Sequence, residues 1–547
     1  MSNEPIIYDT TLREGMQTPG GIGGSLEERV YAANLISRFA DYVEVGMPAN
    51  TVDFDIISEI RKSFEENRRQ AGIAVLCRLK NEEIDSAVDA LAGYHNTLAH
   101  IFIGTSEEHR RVRFKGRWEL SDYESGIEQV VAYSASKGFS RVMFSPEDSF
   151  RTFKESPQDF FRFVDAAVRG YGAGEEKLIL NFPDTVGLST ISEFDSMLDS
   201  IISRYGSSIE ISLHGHNDRG SSIQQALDAF TKGKARWLQT TFGNLGERNG
   251  IAQTEAVIVA LAERGFCRHS ADDFKQLVPY TAAILGALGR TVPDEAIVSG
   301  SRTNVSTAGI HTDIASKDIA TYHINGDKYG ATPAMEFGPT SGAEQLLSLL
   351  EGIGFSFEKS DEALKEFVDE RKEQCNREKR SLSETDILYH AVKTFGDIED
   401  PMKDVSYSIK TEKSKKTAVD LSCSYTGNKA TSSSEANGAV EAIVGALDKI
   451  VSRESGHLHL VQFNPSVAPK IPAKYLQWEQ GKYPDVPSGL DIGSDFRLQT
   501  GIMNGSGRIY NGFASGEDTF QTIADSCIDA VVKMAAIERW ASLPKAL

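Results

Sequence analysis

Cysteine is scarce in this chain. There are five in 547 residues, at Cys77, Cys267, Cys375, Cys423 and Cys527, and no two share Cys-x-x-Cys spacing. An odd, scattered set of this kind argues against a disulfide framework or a thiolate zinc site and suits reduced thiols. Long apolar runs are also missing: none reaches the roughly 18 residues that span a bilayer. The opening Met1-Ser-Asn-Glu-Pro-Ile-Ile-Tyr has no basic stretch followed by an apolar one, so no secretory leader is expected. Positive charge is short as well. Lys and Arg number 58 against 78 Asp and Glu, a net charge of −20, with no basic run. Nucleic acid and anionic membranes are therefore not expected partners, and the expectation is a soluble, cytoplasmic protein.

What is present is an ordinary globular balance, 40% hydrophobic and 25% charged. The length suits two to four units at roughly 100–200 residues each. Through the first half, short apolar runs alternate with longer segments of helical period such as Leu26–Arg38 and Gln224–Lys232. The runs are Pro5–Tyr8, Tyr42–Val45, Gly72–Cys77, His100–Gly104, Arg141–Phe144, Lys177–Asn181, Ile209–His214 and Trp237–Phe242. Eight βα units at a spacing of about 30–40 residues predict a (β/α)8 TIM barrel over residues 1–290; a doubly wound open sheet has the same rhythm.

Polar residues sharpen the choice. Asp9, Arg13 and Glu14 follow the first run, Glu44 ends the second, and Thr105 and Ser106 follow the fourth. Ser145 and Glu147 follow the fifth, Asp184 and Thr185 the sixth, His214 and His216 the seventh, Asn244 and Glu247 the eighth. Chemistry-bearing groups gathered at C-terminal strand ends are what a barrel active site requires.

Beyond this the rhythm changes. Residues 291–400 read as a mostly helical connector with helices over Gly342–Ile353 and Asp361–Glu373. Residues 401–547 read as an α+β domain of two strand–strand–helix units. The first comprises Val405–Thr411, Thr417–Tyr425 and a helix over Gly438–Val451; the second comprises Leu458–Phe463, Ser494–Met503, Arg508–Phe513 and a helix near Asp518–Ala541. Asn464–Pro487, with five prolines, reads as a loop.

His214-Gly-His216 ends a strand, and residues at i and i+2 share a face, so both imidazoles can meet one ion. A carboxylate from the first strand end, Glu14 or Asp9, would complete a two-nitrogen, one-oxygen set with open positions. Arg13 beside it can stabilise a developing alkoxide, or simply pair with Asp9 or Glu44 to close the barrel floor. Glu147 can act as a general base, partner a histidine, or cap the next helix. Asp184-Thr185 can place a hydroxyl on a substrate carboxylate or serve as an ordinary N-cap. Gly243-Asn-Leu-Gly-Glu-Arg-Asn-Gly250 lacks the lysine pattern of a phosphate-binding loop.

Taken together, six stretches resemble the acetyl-CoA-dependent Claisen condensing enzymes of the DRE-TIM metallolyase superfamily. That group includes the 2-isopropylmalate, citramalate and homocitrate synthases. The stretches are Asp9-Thr-Thr-Leu-Arg-Glu-Gly, Val43-Glu-Val-Gly-Met-Pro-Ala, Phe144-Ser-Pro-Glu-Asp-Ser-Phe-Arg, Pro183-Asp-Thr-Val-Gly, His214-Gly-His-Asn-Asp and Gly246-Glu-Arg-Asn-Gly. The connector stretch Ala308-Gly-Ile-His-Thr-Asp, with Tyr322 beyond it, is similar to that of 2-isopropylmalate synthases. So are Glu435-Ala-Asn-Gly-Ala-Val-Glu-Ala and Arg508-Ile-Tyr-Asn-Gly in the C-terminal regulatory domain.

The resemblance implies that Glu14, His214 and His216 hold a divalent metal (Zn, Mg or Mn). It implies that Arg13 and Thr185 grip the 2-oxo acid, that His100 and Ser145 line its pocket, and that Glu147, His311 and Tyr322 move protons. It further implies acetyl-CoA as co-substrate, a homodimer in which His311 and Tyr322 complete the neighbouring site, and an amino-acid feedback effector. Three positions depart from the isopropylmalate-type pattern: Glu14 in place of aspartate, Ile251 in place of asparagine, and Gly338-Pro-Thr-Ser-Gly in place of Gly-Lys-His-Ser-Gly. The first gives the site a homocitrate-like cast and leaves the 2-oxo acid open among apolar acids, pyruvate, dicarboxylic acids and phenylpyruvate. Arg110 is a candidate partner for a distal carboxylate, or one member of a solvated basic face with Arg111 and Arg113. The competing activities are an aldolase or thioester lyase on the same barrel, a non-haem iron oxygenase, and a metabolite-binding paralogue without turnover.

Overall fold

A computed structural model of the chain describes residues 4–113, 118–174, 176–266, 269–303, 305–306, 311, 314, 326–331, 334–411, 416–469, 494–516 and 518–543. By internal contacts it divides into two units, Met1–Asn304 with Ile324–Pro333, and Val305–His323 with Ala334–Leu547.

The first unit is a closed barrel of eight parallel strands in sequence order. They are β1 (Ile6–Asp9), β2 (Tyr42–Glu44), β3 (Gly72–Cys77), β4 (Thr97–Gly104), β5 (Arg141–Glu147), β6 (Leu178–Asp184), β7 (Ile209–Gly215) and β8 (Trp237–Thr240). Strand β8 pairs with β1 from Ile6↔Trp237 to Asp9↔Thr240, which closes the ring and disposes of the open-sheet reading. All eight expected runs are strands; β5 and β6 run three residues further than their apolar stretches, into the polar residues of the mouth.

Alternation divides each strand between two cores. Outward residues such as Ile7, Val43, Val75, Ile101, Phe144, Leu180 and Leu238 pack beneath the surrounding helices. Inward residues Ile6, Tyr8, Tyr42, Ala74, Leu98, Met143, Ile179 and Trp237 fill the barrel as a separate cluster. Each such large apolar side chain contributes about 1.5–3 kcal/mol by leaving water. Towards the base, Arg141 pairs with Glu210 at 2.7 Å and lies over Trp237, whose indole N–H donates to the same carboxylate at 2.6 Å. Polar caps set the helix starts: Ser25 and Glu28 form a reciprocal capping box before Leu26–Ile36, and Thr190 and Glu193 do so before Ile191–Tyr205.

The second unit holds a small sheet in the order Leu382–Ser383, Ala334–Phe337, Val305–Ser306, with helices Glu344–Gly352, Glu362–Glu378 and Glu384–Thr394. Two β-β-β-α repeats follow. The first is β9 (Met402–Thr411), β10 (Thr417–Tyr425), β11 (Asn428–Ala436) and helix Ala439–Ser455; the second is β12 (His459–Pro469), β13 (Ser494–Met503), β14 (Ile509–Gly516) and helix Thr519–Ser542. Both sheets are antiparallel meanders, and Val419, Leu421, Leu447, Leu498, Ile502, Val531 and Met534 share one core.

Two segments of the second unit depart from the sequence expectation. Strand β11 was not foreseen, because Asn428-Lys-Ala-Thr-Ser-Ser-Ser-Glu-Ala has too few apolar residues to show a period and is held by its ladder to β10. Asn464–Pro469 continues β12 rather than opening a loop, with its ladder to β13 unbroken across both prolines. The remainder of the proline-rich stretch, 470–487, lies outside the described residues.

Candidate active site at the barrel mouth

One cavity of about 270 Å³ opens among the C-terminal strand ends. It is lined by Arg13, Glu14, His100, Ser145, Glu147, Thr185, His214 and His216, eight of the ten residues singled out in the sequence. Met47, Leu76, Phe102 and Pro183 give it an apolar side. Of the other two, His311 is exposed and belongs to the second unit. Tyr322 lies outside the described residues.

Glu14, His214 and His216 are buried and present one donor atom each within 4.8 Å of one another. The Nε2 atoms of the two imidazoles face each other at 3.3 Å. Glu14 is oriented from two sides, since Oε2 accepts from Arg13 and Oε1 accepts from the backbone N–H of Glu247 at 3.1 Å. Gly246 packs against Glu14, and Gly250, at φ +72°, adopts a turn in which a Cβ would run into the carbonyl oxygen of Asn244. The glycine-rich stretch is thus a cradle for the carboxylate. Ile251 is buried, and its backbone bridges His216. Two imidazoles and a carboxylate with mutually facing lone pairs fit a divalent cation.

Charge in the site is balanced by contact. Arg13 Nε donates to Glu44 at 2.6 Å and its Nη1 to Glu14, so Glu44, and not Asp9, is its strand-end partner beside Glu14. Burial alone would push the Glu44 carboxyl up, but Arg13 and His100 outweigh it and hold it well below the usual range. The same contest, won chiefly by Arg13, keeps the Glu14 carboxyl below its usual range. Burial and the neighbouring His216 push His214 down to about 3, so its imidazole is neutral. Asp9 behaves in the opposite way. It is turned from the cavity, accepts from Thr11 N and Thr254 Oγ1, and burial raises it to about 7.

A second tier lies beside this cluster. His100 Nδ1 meets Glu44 at 2.6 Å and its Nε2 meets Ser145 Oγ at 2.6 Å. Asn181 donates to the same Ser145 oxygen at 2.7 Å, and Tyr8 and Thr10 donate to Glu44. The Thr185 oxygen accepts from Asp148 N at 2.9 Å, which leaves its own hydrogen for another acceptor. Glu147 approaches His109 Nδ1 at 4.0 Å. Asp184 ties its own loop by accepting from Leu188 N, Ser189 N and Ser189 Oγ, while Thr190 is the N-cap. Arg110 takes the surface reading and not the cavity one: it pairs with Asp159 at 3.4 Å, lies over Phe163, and is not among the cavity's lining residues.

Sequence reading missed Asn181 and Gln239. Both sit inside apolar strands at inward positions, so a polar residue in phase with the barrel's inner layer is the signal that finds them.

The closed parallel barrel and its two-histidine, one-carboxylate mouth define the class: a (β/α)8 enzyme with a ligand set suited to a divalent metal. A profile of HMGL-like proteins matches residues 4–284, and the chain belongs to the HMGL-like family. Among similar curated proteins, the 2-isopropylmalate synthase of Methylococcus capsulatus is 28% identical over 553 residues, covering 98% of each chain. That of Neisseria meningitidis serogroup B is 30% identical and covers 82% of this chain and 85% of its own. That of Pyrococcus abyssi is 32% identical, covering 70% and 76%. No helix among the described residues is long and apolar enough to cross a membrane.

Proposed function

We propose that the protein condenses acetyl-CoA and a 2-oxo acid, with water, into a 2-substituted malate and free CoA, in the manner of a 2-isopropylmalate synthase. The observation that carries this reading is the convergence of Arg13, Thr185, Ser145 and His100 on the cavity that also holds Glu14, His214 and His216. A divalent ion held by the last three would supply Lewis acidity to the ketone oxygen of the 2-oxo acid.

The chain's own groups do the rest. Arg13, fixed between Glu44 and Glu14, keeps its guanidinium in place to stabilise the alkoxide as the new carbon–carbon bond forms. Thr185 donates its free hydrogen to the substrate carboxylate. Glu147, with His311 and Tyr322 contributed by a partner subunit, moves the proton from the acetyl methyl group. Leu76, Phe102 and Met47 receive the substrate side chain. Arg13 is the only Lys or Arg lining the cavity among the described residues, and two carboxylates already engage it. A second substrate carboxylate would meet no free cation there, which favours an apolar 2-oxo acid over a dicarboxylic one. Residues 1–290 form the catalytic domain in this reading, 291–400 the connector, and 401–547 a regulatory domain that takes an amino-acid effector.

The test is CoA release from acetyl-CoA, followed with a thiol reagent across a panel of 2-oxo acids with and without chelator. Strong release with one apolar acid, abolished by chelator, is the expected result, and Arg13→Ala lowers that rate about a hundredfold or more. Metal-loaded, folded protein that releases no CoA with any acid overturns the reading.

A further inference from the structure

Gln239 on β8 and Met143 on β5 are buried inside the barrel, and the mechanism above uses neither. Gln239 Oε1 lies 2.8 Å from His214 Nδ1, and Gln239 Nε2 lies 3.3 Å from Met143 Sδ. We propose that Gln239 is a positioning residue that fixes the tautomer of His214, and that the Met143 sulfur sets which way the Gln239 amide faces. The inference rests on the reading of Glu14, His214 and His216 as metal ligands.

Donor and acceptor types decide the orientation of the amide. A thioether sulfur has no hydrogen to give and only accepts. The amide must therefore turn its NH2 to Met143, because the flipped amide would set oxygen against sulfur with no hydrogen between them. Its carbonyl oxygen then faces His214 Nδ1 and can only accept, so Nδ1 carries the imidazole proton. Nε2, the atom that faces His216 and Glu14, is left with its lone pair free. The ring is held as a ligand before any ion arrives, which is how outer groups tune metal-binding histidines.

His216 has no such partner. Its Nδ1 is buried and lacks a hydrogen-bond acceptor or donor among the described residues. The two histidines therefore differ: His214 is fixed in advance by neighbours on two other strands, and His216 can exchange tautomers.

Two measurements on the full-length protein test this. Competition with a chromogenic chelator gives zinc affinity: Gln239→Leu, which keeps bulk and removes the acceptor, weakens it about 10–100-fold. Gln239→Glu, whose carboxylate also accepts from Nδ1–H, keeps wild-type affinity or exceeds it, and Met143→Leu falls between. Equal affinity in Gln239→Leu and wild type, or equal loss in the Leu and Glu variants, overturns the proposal, since packing alone would treat them so. Nitrogen-15 shifts of the His214 ring in metal-free protein give the second readout. The expected pattern is Nδ1–H in wild type and mixed tautomers in Gln239→Leu; mixed tautomers in wild type overturn it. Wild-type protein that binds no zinc but shows a pure Nδ1–H ring sinks the metal reading and leaves the tautomer assignment standing.

Discussion

Each unit buries a knot of charge, and the two knots end differently. In the barrel, Glu44 binds Arg13, His100, Tyr8 and Thr10, yet the cluster it supports still offers the facing Nε2 atoms of His214 and His216. In the second unit, Lys533 is 4% exposed and donates to Asp386 at 2.6 Å and to Asp529. Arg380 also donates to Asp386 at 2.7 Å and lies over Phe513, while Ser383 caps the same carboxylate. Every charge in that knot is answered within it, and it joins helix Glu384–Thr394 to helix Thr519–Ser542. Buried charge that closes on itself is a tie between elements. Buried charge that keeps outward lone pairs is a place for chemistry.

The largest effect expected from breaking this contrast is on stability of the second unit. Lys533→Met leaves Asp529 without its cation and Asp386 with only one, at a cost of about 3–5 kcal/mol. Its unfolding midpoint in urea moves down accordingly, while zinc uptake by the barrel is unchanged. A midpoint equal to that of wild type would show that the knot does not hold the helices together.

A smaller effect separates two carboxylates within the barrel. Glu44 is held below its ordinary value of 4.5, so its stabilisation is present above that pH and is lost as pH falls towards the depressed value. Asp9 is raised from 3.8 to about 7, so the preference for its protonated form is complete below 3.8 and lost as pH rises through about 7. Barrel stability in metal-free protein, read by denaturation, therefore falls below pH 4.5 as Glu44 loses its charge, while between 3.8 and about 7 the loss from Asp9 opposes the gain from His214, whose imidazole is held neutral. Asp9→Asn removes the Asp9 loss alone, so its stability relative to wild type rises between pH 3.8 and about 7; a difference that stays constant with pH would show that Asp9 does not titrate in this way.

The smallest effect is expected outside the cavity. Arg110→Ala breaks the pair with Asp159, worth about 0–1 kcal/mol, together with the contact over Phe163, and on the proposed function leaves KM for every 2-oxo acid as it was. A selective rise in KM for dicarboxylic acids would return Arg110 to the site.

The eight βα repeats were legible because strand and helix periods differ and apolar residues report both. Strand-end polarity placed the mouth, and eight residues named from it line one cavity. Strand β11 escaped because a ladder can hold a segment whose side chains are nearly all polar. Arg110 stayed open between cavity and surface because its place after the fourth strand end does not tell which way a helix turns its side chains.

By itself the sequence determined that inward and outward residues alternate around a barrel, and that His214 and His216 share a face. Strand position alone left Glu14 and Asp9 as equals, and the tertiary structure brings Glu14 to the histidines while Asp9 turns to Thr11 and Thr254. Only the tertiary structure showed that Glu44 fixes Arg13 and His100 together, and that Met143 and Gln239 reach His214 from two other strands. Period is a local property written in consecutive residues. A hydrogen-bond chain across a closed barrel joins residues 25 and 96 positions apart, and no local pattern records it.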